Sequence, residues 1–283
     1  MLRNLYVTDL GYEAAGRRYC DEDIWLSGRL RDRGFTVALC HPLDAASLMG
    51  DFDLVLVRNS GPVVHYRAAY DAFRAEAAAR RVRVVNPLTG RGDMAGKRYL
   101  VDLTRAGFPV IPTVDRAADL ALLPDAAEYA VKPVDGADSL GLAFVAREDL
   151  ASVDIEGMLV QPRIPFRYEV SFYFVDQDFQ YALYAPDPAR RWALTAYEPS
   201  GEDLAFARRF TEWNAIGHGV QRVDACRAPD GALLLVELED LNPYLSLDLV
   251  DASTREAFTD RLAASLHAAA AAPPPAAGHA VSG

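Results

Sequence analysis

The sequence predicts an α/β protein in which a small parallel sheet at the N-terminus precedes a longer region of largely antiparallel strands. Strand and helix signals alternate over residues 1–88, the order typical of a parallel sheet flanked by helices. Farther along the chain, compact turns at 176–178 and 229–231 separate neighbouring strand signals, as turns do in antiparallel hairpins.

In the first region we expect strands at 5–7, 35–40, 53–58 and 82–85, and helices at 24–33 and 63–80. The first helix follows the acidic run 21–23, which suits a helix N-terminus, and Gly34 ends it. The strand 53–58 finishes on Arg58. Because ligands gather at the carboxyl ends of the strands in such sheets, Arg58 is predicted to lie at an edge suited to binding.

In the second region we expect helices at 93–105, 202–213 and 253–270, and strands at 129–133, 141–145, 158–161, 169–175, 179–184, 220–226 and 232–238. The glycine and prolines of 106–113 predict an extended connection after the first of these helices. Residues 271–283 are of low complexity, which predicts a disordered tail.

Composition and charge argue against several classes of protein. Lys plus Arg total 29 against 40 for Asp plus Glu, so the formal net charge is −11. A surface this acidic repels a phosphate backbone, which makes nucleic acid and anionic membranes poor partners. No apolar run approaches the ~20 residues that span a bilayer. Cys20, Cys40 and Cys226 are an odd number of cysteines without zinc spacing, so we expect a reducing, cytoplasmic compartment.

The two lysines are the most informative residues of the chain. Of its 29 basic residues, only Lys97 and Lys132 are not arginine. Lys carries a compact charge where Arg presents a broad planar fork, so a lysine kept in an arginine-rich chain indicates a narrow approach to phosphate oxygens. Lys132 ends a predicted strand just before the Gly/Ser loop 135–141, whose backbone N–H groups can meet the same phosphates.

Asp224, Glu237 and Glu239 form an acidic cluster on two adjoining predicted strands. Side chains alternate along a strand, so Glu237 and Glu239 share one face and both can meet Asp224 across the hairpin. Carboxylates this close repel one another unless cations compensate, and hard oxygen ligands favour Mg²⁺ over zinc. The alternative is an acidic face on an exposed sheet with no ligand.

The order of these features resembles the ATP-grasp superfamily, in particular its glutathione-synthetase-like branch. The matching segments are 86–87 with Lys97, 107–113, 131–133 with its loop, 159–162, Asp224 and 237–243. The last of them looks most like small ATP-grasp ligases of natural-product pathways, such as the cyclo-ligase of D-cycloserine formation. The resemblance covers about residues 86–250.

The resemblance implies a division of the chain into domains. It predicts a pre-ATP-grasp α/β domain at 1–88 and an ATP-grasp domain at 89–270, with a smaller lid lobe at about 110–162 and a C-terminal lobe at about 163–270. The sheets of both lobes are expected to be largely antiparallel.

The resemblance also implies an enzyme, an ATP-grasp ligase that forms carbon–nitrogen bonds. Such a ligase phosphorylates a carboxylate to an acyl phosphate, which an amine attacks to form an amide, releasing ADP and phosphate. The implied partners are a small carboxylate and a small amine, and the implied cofactors are ATP and Mg²⁺, for which Mn²⁺ can substitute.

Other readings of the same residues stay open. They are a cyclo-ligase acting within one amino-acid-derived substrate, a kinase that stops at phosphoryl transfer, and a nucleotide-binding protein without ligase activity. The substrates and the oligomeric state, including a homodimer, are also open.

Individual roles follow from the resemblance. The implied nucleotide-binding residues are Lys97, Lys132, Asp135, Gly136, Ser139, Gly141, Gln161 and Glu169, and the implied metal ligands are Asp224, Glu237, Glu239 and Asn242. Three positions depart from the family: Gly96 stands where members commonly place Asp before the first lysine, Leu241 stands where the metal-binding Asn is expected, one residue before Asn242, and the Arg that members often place near Ser171 is missing. The candidates to stabilise the transferred phosphoryl group are therefore Arg191, Arg58 and Arg167.

Overall fold

The structure, a computed structural model, describes residues 1–14, 16–58, 63–135, 141–190, 193–241 and 243–273. Its strands are β1 (Leu2–Val7), β2 (Glu13–Ala14), β3 (Arg17–Arg18), β4 (Phe35–Cys40), β5 (Leu54–Val57), β6 (Val84–Val85), β7 (Glu128–Pro133), β8 (Ala143–Ala146), β9 (Met158–Pro162), β10 (Tyr168–Val175), β11 (Asp178–Ala185), β12 (Thr195–Ala196), β13 (Val220–Arg227) and β14 (Leu233–Glu239). Its α-helices are α1 (Cys20–Asp32), α2 (Ala45–Leu48), α3 (Arg67–Arg80), α4 (Tyr99–Arg105), α5 (Gly201–Asn214) and α6 (Ala252–Ala271). None of these helices is both long and apolar enough to cross a membrane.

The N-terminal region forms a four-stranded parallel sheet in the order β4-β1-β5-β6. Helix α1 begins in an acidic first turn and is followed by Gly34 at φ 89°, a backbone conformation that favours glycine. Helix α3 begins at Arg67, later than expected, because residues 63–65 form a 3₁₀ turn instead of the first helical turn. The predicted parallel sheet is confirmed.

The middle of the chain forms a three-stranded antiparallel sheet in the order β8-β7-β9. It packs on its own small core, which includes Val114, Tyr129, Val131, Leu150, Ile155 and Val160. The helix expected at 93–105 is interrupted: residues 93–95 form a 3₁₀ turn, and α4 starts only at Tyr99. The break occurs at Gly96, whose φ of 85° is incompatible with a right-handed helix.

The C-terminal half forms a five-stranded antiparallel sheet in the order β12-β11-β10-β13-β14. The predicted turn between β10 and β11 is present, with Asp176 in the left-handed region at φ 56°. Between β13 and β14 the pairing shifts after Asp224, so the strands bend beside the residues of the predicted acidic cluster.

Apolar packing joins the N-terminal parallel sheet to the C-terminal sheet. One core cluster contains Tyr6 and Leu56 from the parallel sheet, Tyr173 from β10, and Phe258 and Leu262 from α6. Each of the three main sheets lies within one of the segments predicted as domains or lobes, while the boundaries themselves stay predictions. Helix α6 reaches Ala271, and residues 274–283 of the predicted tail lie outside the described residues.

Candidate active site

Lys97 forms an ion pair with Glu237 on β14, and the charge of Lys132 interacts with the same carboxylate. The Lys97 Nζ lies 2.6 Å from the Glu237 Oε1, and the Lys97 side chain is 13% exposed. Lys132 stands near the end of β7, and its charge interacts with both Glu237 and Lys97. The backbone N–H of Lys97 donates to the carbonyl oxygen of Val134 (2.9 Å), which ties the Lys97 loop to the end of β7. The two lysines that stood out in the sequence thus come together.

The electrostatics of this group distinguish the two ammonium groups. Burial disfavours the charged form of Lys97, but the Glu237 carboxylate outweighs burial and raises the pKa of Lys97. Burial lowers the pKa of Lys132 to about 8; Glu237 opposes this shift and the neighbouring Lys97 adds to it. For Glu237, the opposing effect of burial is overcome by Lys97 and Lys132, which lower its pKa. Two ammonium groups and one carboxylate have a net positive charge, which favours the binding of a further negatively charged group.

Arg222 on β13 neutralises the other two carboxylates of the predicted cluster. Its Nη2 lies 2.8 Å from the Asp224 Oδ2 and 2.6 Å from the Glu239 Oε1, and its Nε donates to the Asp224 Oδ1 (2.9 Å). The register explains this contact: Asp224 stands directly opposite Glu237, whereas Arg222 stands opposite Glu239. Burial raises the pKa of Glu239 to about 8, although Arg222 acts in the opposite direction.

The carboxylates suit Mg²⁺ in chemistry and in strand position. Asp224, Glu237 and Glu239 supply only hard oxygen donors from two paired strands, the donor type that Mg²⁺ prefers. Each of these carboxylates contacts a cationic side chain. A divalent cation would compensate the negative charge of the carboxylates in the same way. Across the described part of the chain, no three His, Cys, Asp or Glu side chains converge so that they could hold a metal ion as they stand.

The other predicted nucleotide-binding residues that the structure describes are Gln161, Glu169, Asp135 and Gly141. Gln161 on β9 is 5% exposed, and its Nε2 donates to the Thr113 Oγ1 (2.9 Å). Glu169 stands on β10, facing β13 and β11. Asp135 is exposed and lies 3.3 Å from the Arg67 Nη2, and Gly141 has a φ of 75°. Gly136 and Ser139 lie outside the described residues.

Arg58 lies in an ionic network of the parallel sheet. It is 2% exposed, and its guanidinium lies 3.4 Å from the carboxylates of both Glu22 and Asp23. Asp23 also accepts hydrogen bonds from the Tyr6 hydroxyl (2.7 Å) and the Thr8 hydroxyl (2.6 Å). The charge of Arg58 is therefore matched by two carboxylates of helix α1, and its role toward a phosphoryl group stays a prediction.

Arg191, the other predicted catalytic residue, and Asn242, the fourth predicted metal ligand, lie outside the described residues. The structure instead brings Arg222 into the group, a residue that the sequence analysis did not single out. A signal for it was present, because Arg222 stands two positions before Asp224 and so faces the same side of the strand.

No known family model matches the chain. The cycloserine biosynthesis protein DcsG of Streptomyces lavendulae is 26% identical over 254 residues, covering 77% of this chain and 85% of that protein. The crystal structure of D-cycloserine synthetase DcsG superposes with a TM-score of 0.71 at 24% identity, covering 93% of this chain and 99% of that one. This chain has the fold of the ATP-grasp ligases.

Other ATP-grasp structures align over similar lengths. A D-alanine–D-alanine ligase from Bacillus anthracis complexed with ATP gives a TM-score of 0.67 at 12% identity, covering 95% of this chain and 97% of that chain. The ATP-grasp ligase PsnB, complexed with a precursor variant, Mg and ADP, gives 0.62 at 18% identity, covering 92% and 98%. The predicted resemblance and fold class are confirmed.

Proposed function

We propose that this ATP-grasp chain is an ATP-dependent ligase that joins a small carboxylic acid to an amine and releases ADP and phosphate. One observation carries the proposal: of the two lysines of the chain, Lys97 is ion-paired with Glu237 of the acidic strand pair, and the charge of Lys132 interacts with both residues. A pair of compact cations beside hard oxygen donors is the arrangement that a metal-bound triphosphate requires. The relation to DcsG and to other ATP-grasp ligases supports the same reaction class.

In this proposal the lysines and the carboxylates exchange their present partners when nucleotide binds. Lys97 leaves Glu237 and, with Lys132, contacts phosphate oxygens, while the loop 135–141 covers them and the segment around Gln161 receives the adenine. A nearby phosphate favours the charged form of Lys132, the form that its burial disfavours in the free protein. Phosphoryl transfer needs positioning and charge neutralisation more than covalent help from the protein, and these residues supply both.

Asp224, Glu237 and Glu239 are the residues that would hold Mg²⁺, with Asn242 as a further predicted ligand. When bound, Mg²⁺ neutralises charge that develops on the phosphate oxygens. Arg222 lies between Asp224 and Glu239, and we propose it as the cation beside the reacting phosphoryl group, in addition to the predicted Arg191 and Arg58. Its guanidinium is held in place by a hydrogen bond from Nη1 to the Tyr244 carbonyl oxygen (2.8 Å).

The second candidate function is ring closure within one amino-acid-derived substrate. It is favoured by the sequence relation to DcsG, whose name places it in cycloserine biosynthesis. Mass spectrometry separates the two reactions, because ligation joins two masses whereas cyclisation removes one water from a single substrate. A cytoplasmic location completes the proposal, since Cys20, Cys40 and Cys226 are free and buried, as suits a reducing compartment.

The proposal is tested by ADP release from ATP and Mg²⁺ in the presence of pooled amino acids. We expect turnover by the wild type and a loss of about 100-fold or more in Lys132→Met, because this variant removes a charge that faces the phosphates. The matched control is Arg147→Met, which removes an exposed cation, paired with Asp125 at 2.7 Å, from the residue that follows β8 of the same three-stranded sheet.

Equal turnover in Lys132→Met and the wild type would refute the site. Binding of MgATP without ADP release over any amine pool would favour a nucleotide-binding protein without ligase activity. A stable phosphorylated product formed without an amine would identify a kinase.

A further inference from the structure

Two carboxylates, those of Asp93 and Asp240, cross-link the loop before α4 to the end of β14. The Asp93 Oδ1 accepts hydrogen bonds from the backbone N–H groups of Asp240 (2.6 Å) and Leu241 (2.9 Å). Asp240 in turn accepts hydrogen bonds from the backbone N–H groups of Gly92 (3.0 Å) and Met94 (2.8 Å). Each carboxylate therefore binds the backbone of the segment that carries the other.

Two asparagines complete this junction. Asp240 is fully buried; its Oδ2 accepts from the Asn214 Nδ2 (3.0 Å), and its carbonyl oxygen accepts from the Asn86 Nδ2 (2.6 Å). Asn214 also accepts the N–H of Arg91 (2.6 Å), so α5 is tied to the same loop. A buried group with this many partners has one position, because any displacement leaves several polar groups unsatisfied.

The junction lies between two residues of the candidate site. Lys97 stands four positions after Asp93, and Glu237 stands three positions before Asp240. The only regular structure between Asp93 and Lys97 is a 3₁₀ turn, which Gly96 ends. The backbone of the Lys97 loop is thus anchored on the strand that carries Glu237, and the Lys97 Nζ lies 2.6 Å from the Glu237 Oε1.

We propose that Asp93 and Asp240 are positioning residues that set the approach of Lys97 to Glu237 and thereby the affinity for MgATP. This inference rests on the proposed function, in which Lys97 contacts phosphate and Glu237 holds the metal. Neither aspartate is required to touch the nucleotide. Removal of the Asp93 acceptor leaves two buried N–H groups unpaired and releases the loop from the strand.

Calorimetric binding of MgATP, with no other substrate present, tests the inference. We expect Asp93→Ala to weaken binding by about 10-fold to 100-fold, the range seen when groups that orient metal ligands are removed. Asp93→Asn keeps a side-chain oxygen acceptor of the same shape, so we expect it to restore affinity close to that of the wild type. Gly92→Ala is a second, independent variant, since its Cβ would lie 2.7 Å from the Leu238 carbonyl oxygen and push the loop away from β14.

The control is Asp251→Ala. Asp251 caps α6 by accepting from the Thr254 N–H (2.8 Å), so this variant also removes a carboxylate that binds backbone, but from a helix that packs on α1 and on β10–β11. We expect a lower Tm with unchanged MgATP affinity.

Three results would overturn the inference: wild-type affinity in both Asp93→Ala and Gly92→Ala, an equal loss of affinity in Asp251→Ala, or no recovery in Asp93→Asn. A wild-type protein that does not bind MgATP would instead overturn the proposed function.

Discussion

Arg222 shows how one side chain can hold a cluster of acids that would otherwise repel one another. It contacts Asp224 and Glu239 together, and all three side chains are less than one-fifth exposed. When such charges are buried, removal of one partner destabilises the folded protein by more than the ion pair stabilises it, because the remaining charge is buried without compensation. We propose the same acids as metal ligands. A bound divalent cation is therefore expected to replace part of the positive charge with which Arg222 compensates Asp224 and Glu239.

Arg222→Leu is therefore expected to be destabilised by roughly 3–5 kcal/mol. Millimolar Mg²⁺ should restore part of that loss, because the ion binds the folded arrangement of acids and not the unfolded chain. Urea unfolding with and without Mg²⁺ measures both effects.

Arg227→Leu is the matched control for Arg222→Leu. Arg227 lies on the same strand, is 15% exposed and pairs with Asp203 at 2.6 Å, and Asp203 is not a predicted metal ligand. We expect this variant to lose stability without recovery in Mg²⁺. Equal recovery of both variants would show that Mg²⁺ acts on the fold in general and not on the acids beside Arg222.

Two features of the sequence made residues of the candidate site predictable: the rarity of lysine in the chain and the alternation of side chains along the strands. Lys97 and Lys132 stood out because the chain uses arginine elsewhere, and strand alternation aligned Asp224 with Glu237. Arg222 was not predicted, because one more arginine among many carries no compositional signal. Its position two residues before Asp224 placed it on the same face of the strand, but its contact with Glu239 depends on the cross-strand register of the folded hairpin.

At the scale of elements, the longer strands and the helices α5 and α6 were predicted closely, whereas the starts of α1, α3 and α4 were not. Strand β4 has the expected bounds, because alternating apolar residues between turn signals define a strand well. Helices α3 and α4 begin later than expected, since in each case a 3₁₀ turn takes the place of the first helical turn. The short strands β2, β3 and β12 were missed, because two residues carry no periodicity.

Gly141 is expected to matter to nucleotide binding through the shape of its loop. It has a φ of 75°, and a Cβ there would lie 2.8 Å from the Cγ of Pro133, the residue after Lys132. Gly141→Ala should therefore displace the end of β7 and raise the KM for ATP by about 10-fold, since small displacements at a reacting centre are costly.

Gly157→Ala separates this effect from backbone strain alone. Gly157 has a φ of 71°, but its Cβ would meet nothing within 4 Å. Both variants pay the cost of a side chain at positive φ, about 1–2 kcal/mol. Steady-state kinetics should show a raised KM in Gly141→Ala only. A raised KM in both variants would assign the effect to strain and not to contact with Pro133.

At the scale of the molecule, Glu22 connects the parallel sheet to the chain that follows the acidic strand pair. Its carboxylate accepts hydrogen bonds from the backbone N–H groups of Leu245 (2.8 Å) and Leu247 (2.9 Å) and lies 3.4 Å from the Arg58 Nη2. The carbonyl oxygen of Tyr244, the residue before Leu245, binds Arg222. Glu22 therefore lies on a continuous path from the N-terminal sheet to the candidate site.

The protonation of Glu22 is expected to make the stability of the whole molecule depend on pH. Burial raises the pKa of Glu22 to about 7, although Arg58 acts in the opposite direction. Between its unfolded pKa of about 4.3 and about 7, the folded state keeps a proton that the unfolded state has lost. The contribution of Glu22 is therefore largest at low pH, and stability falls as the pH rises through this window, by up to roughly 4 kcal/mol.

Glu22→Gln removes this titration. The free energy of unfolding in urea is to be measured from pH 5 to pH 8. That of the wild type should fall relative to that of the variant as the pH rises, so that the difference between them changes by roughly 2–3 kcal/mol. Glu76→Gln is the control, because Glu76 is an exposed partner of Arg80 on α3 and its pair contributes little. A constant difference between Glu22→Gln and the wild type across this range would mean that Glu22 is already ionised in the folded protein, with Arg58 and the two backbone N–H groups outweighing its burial.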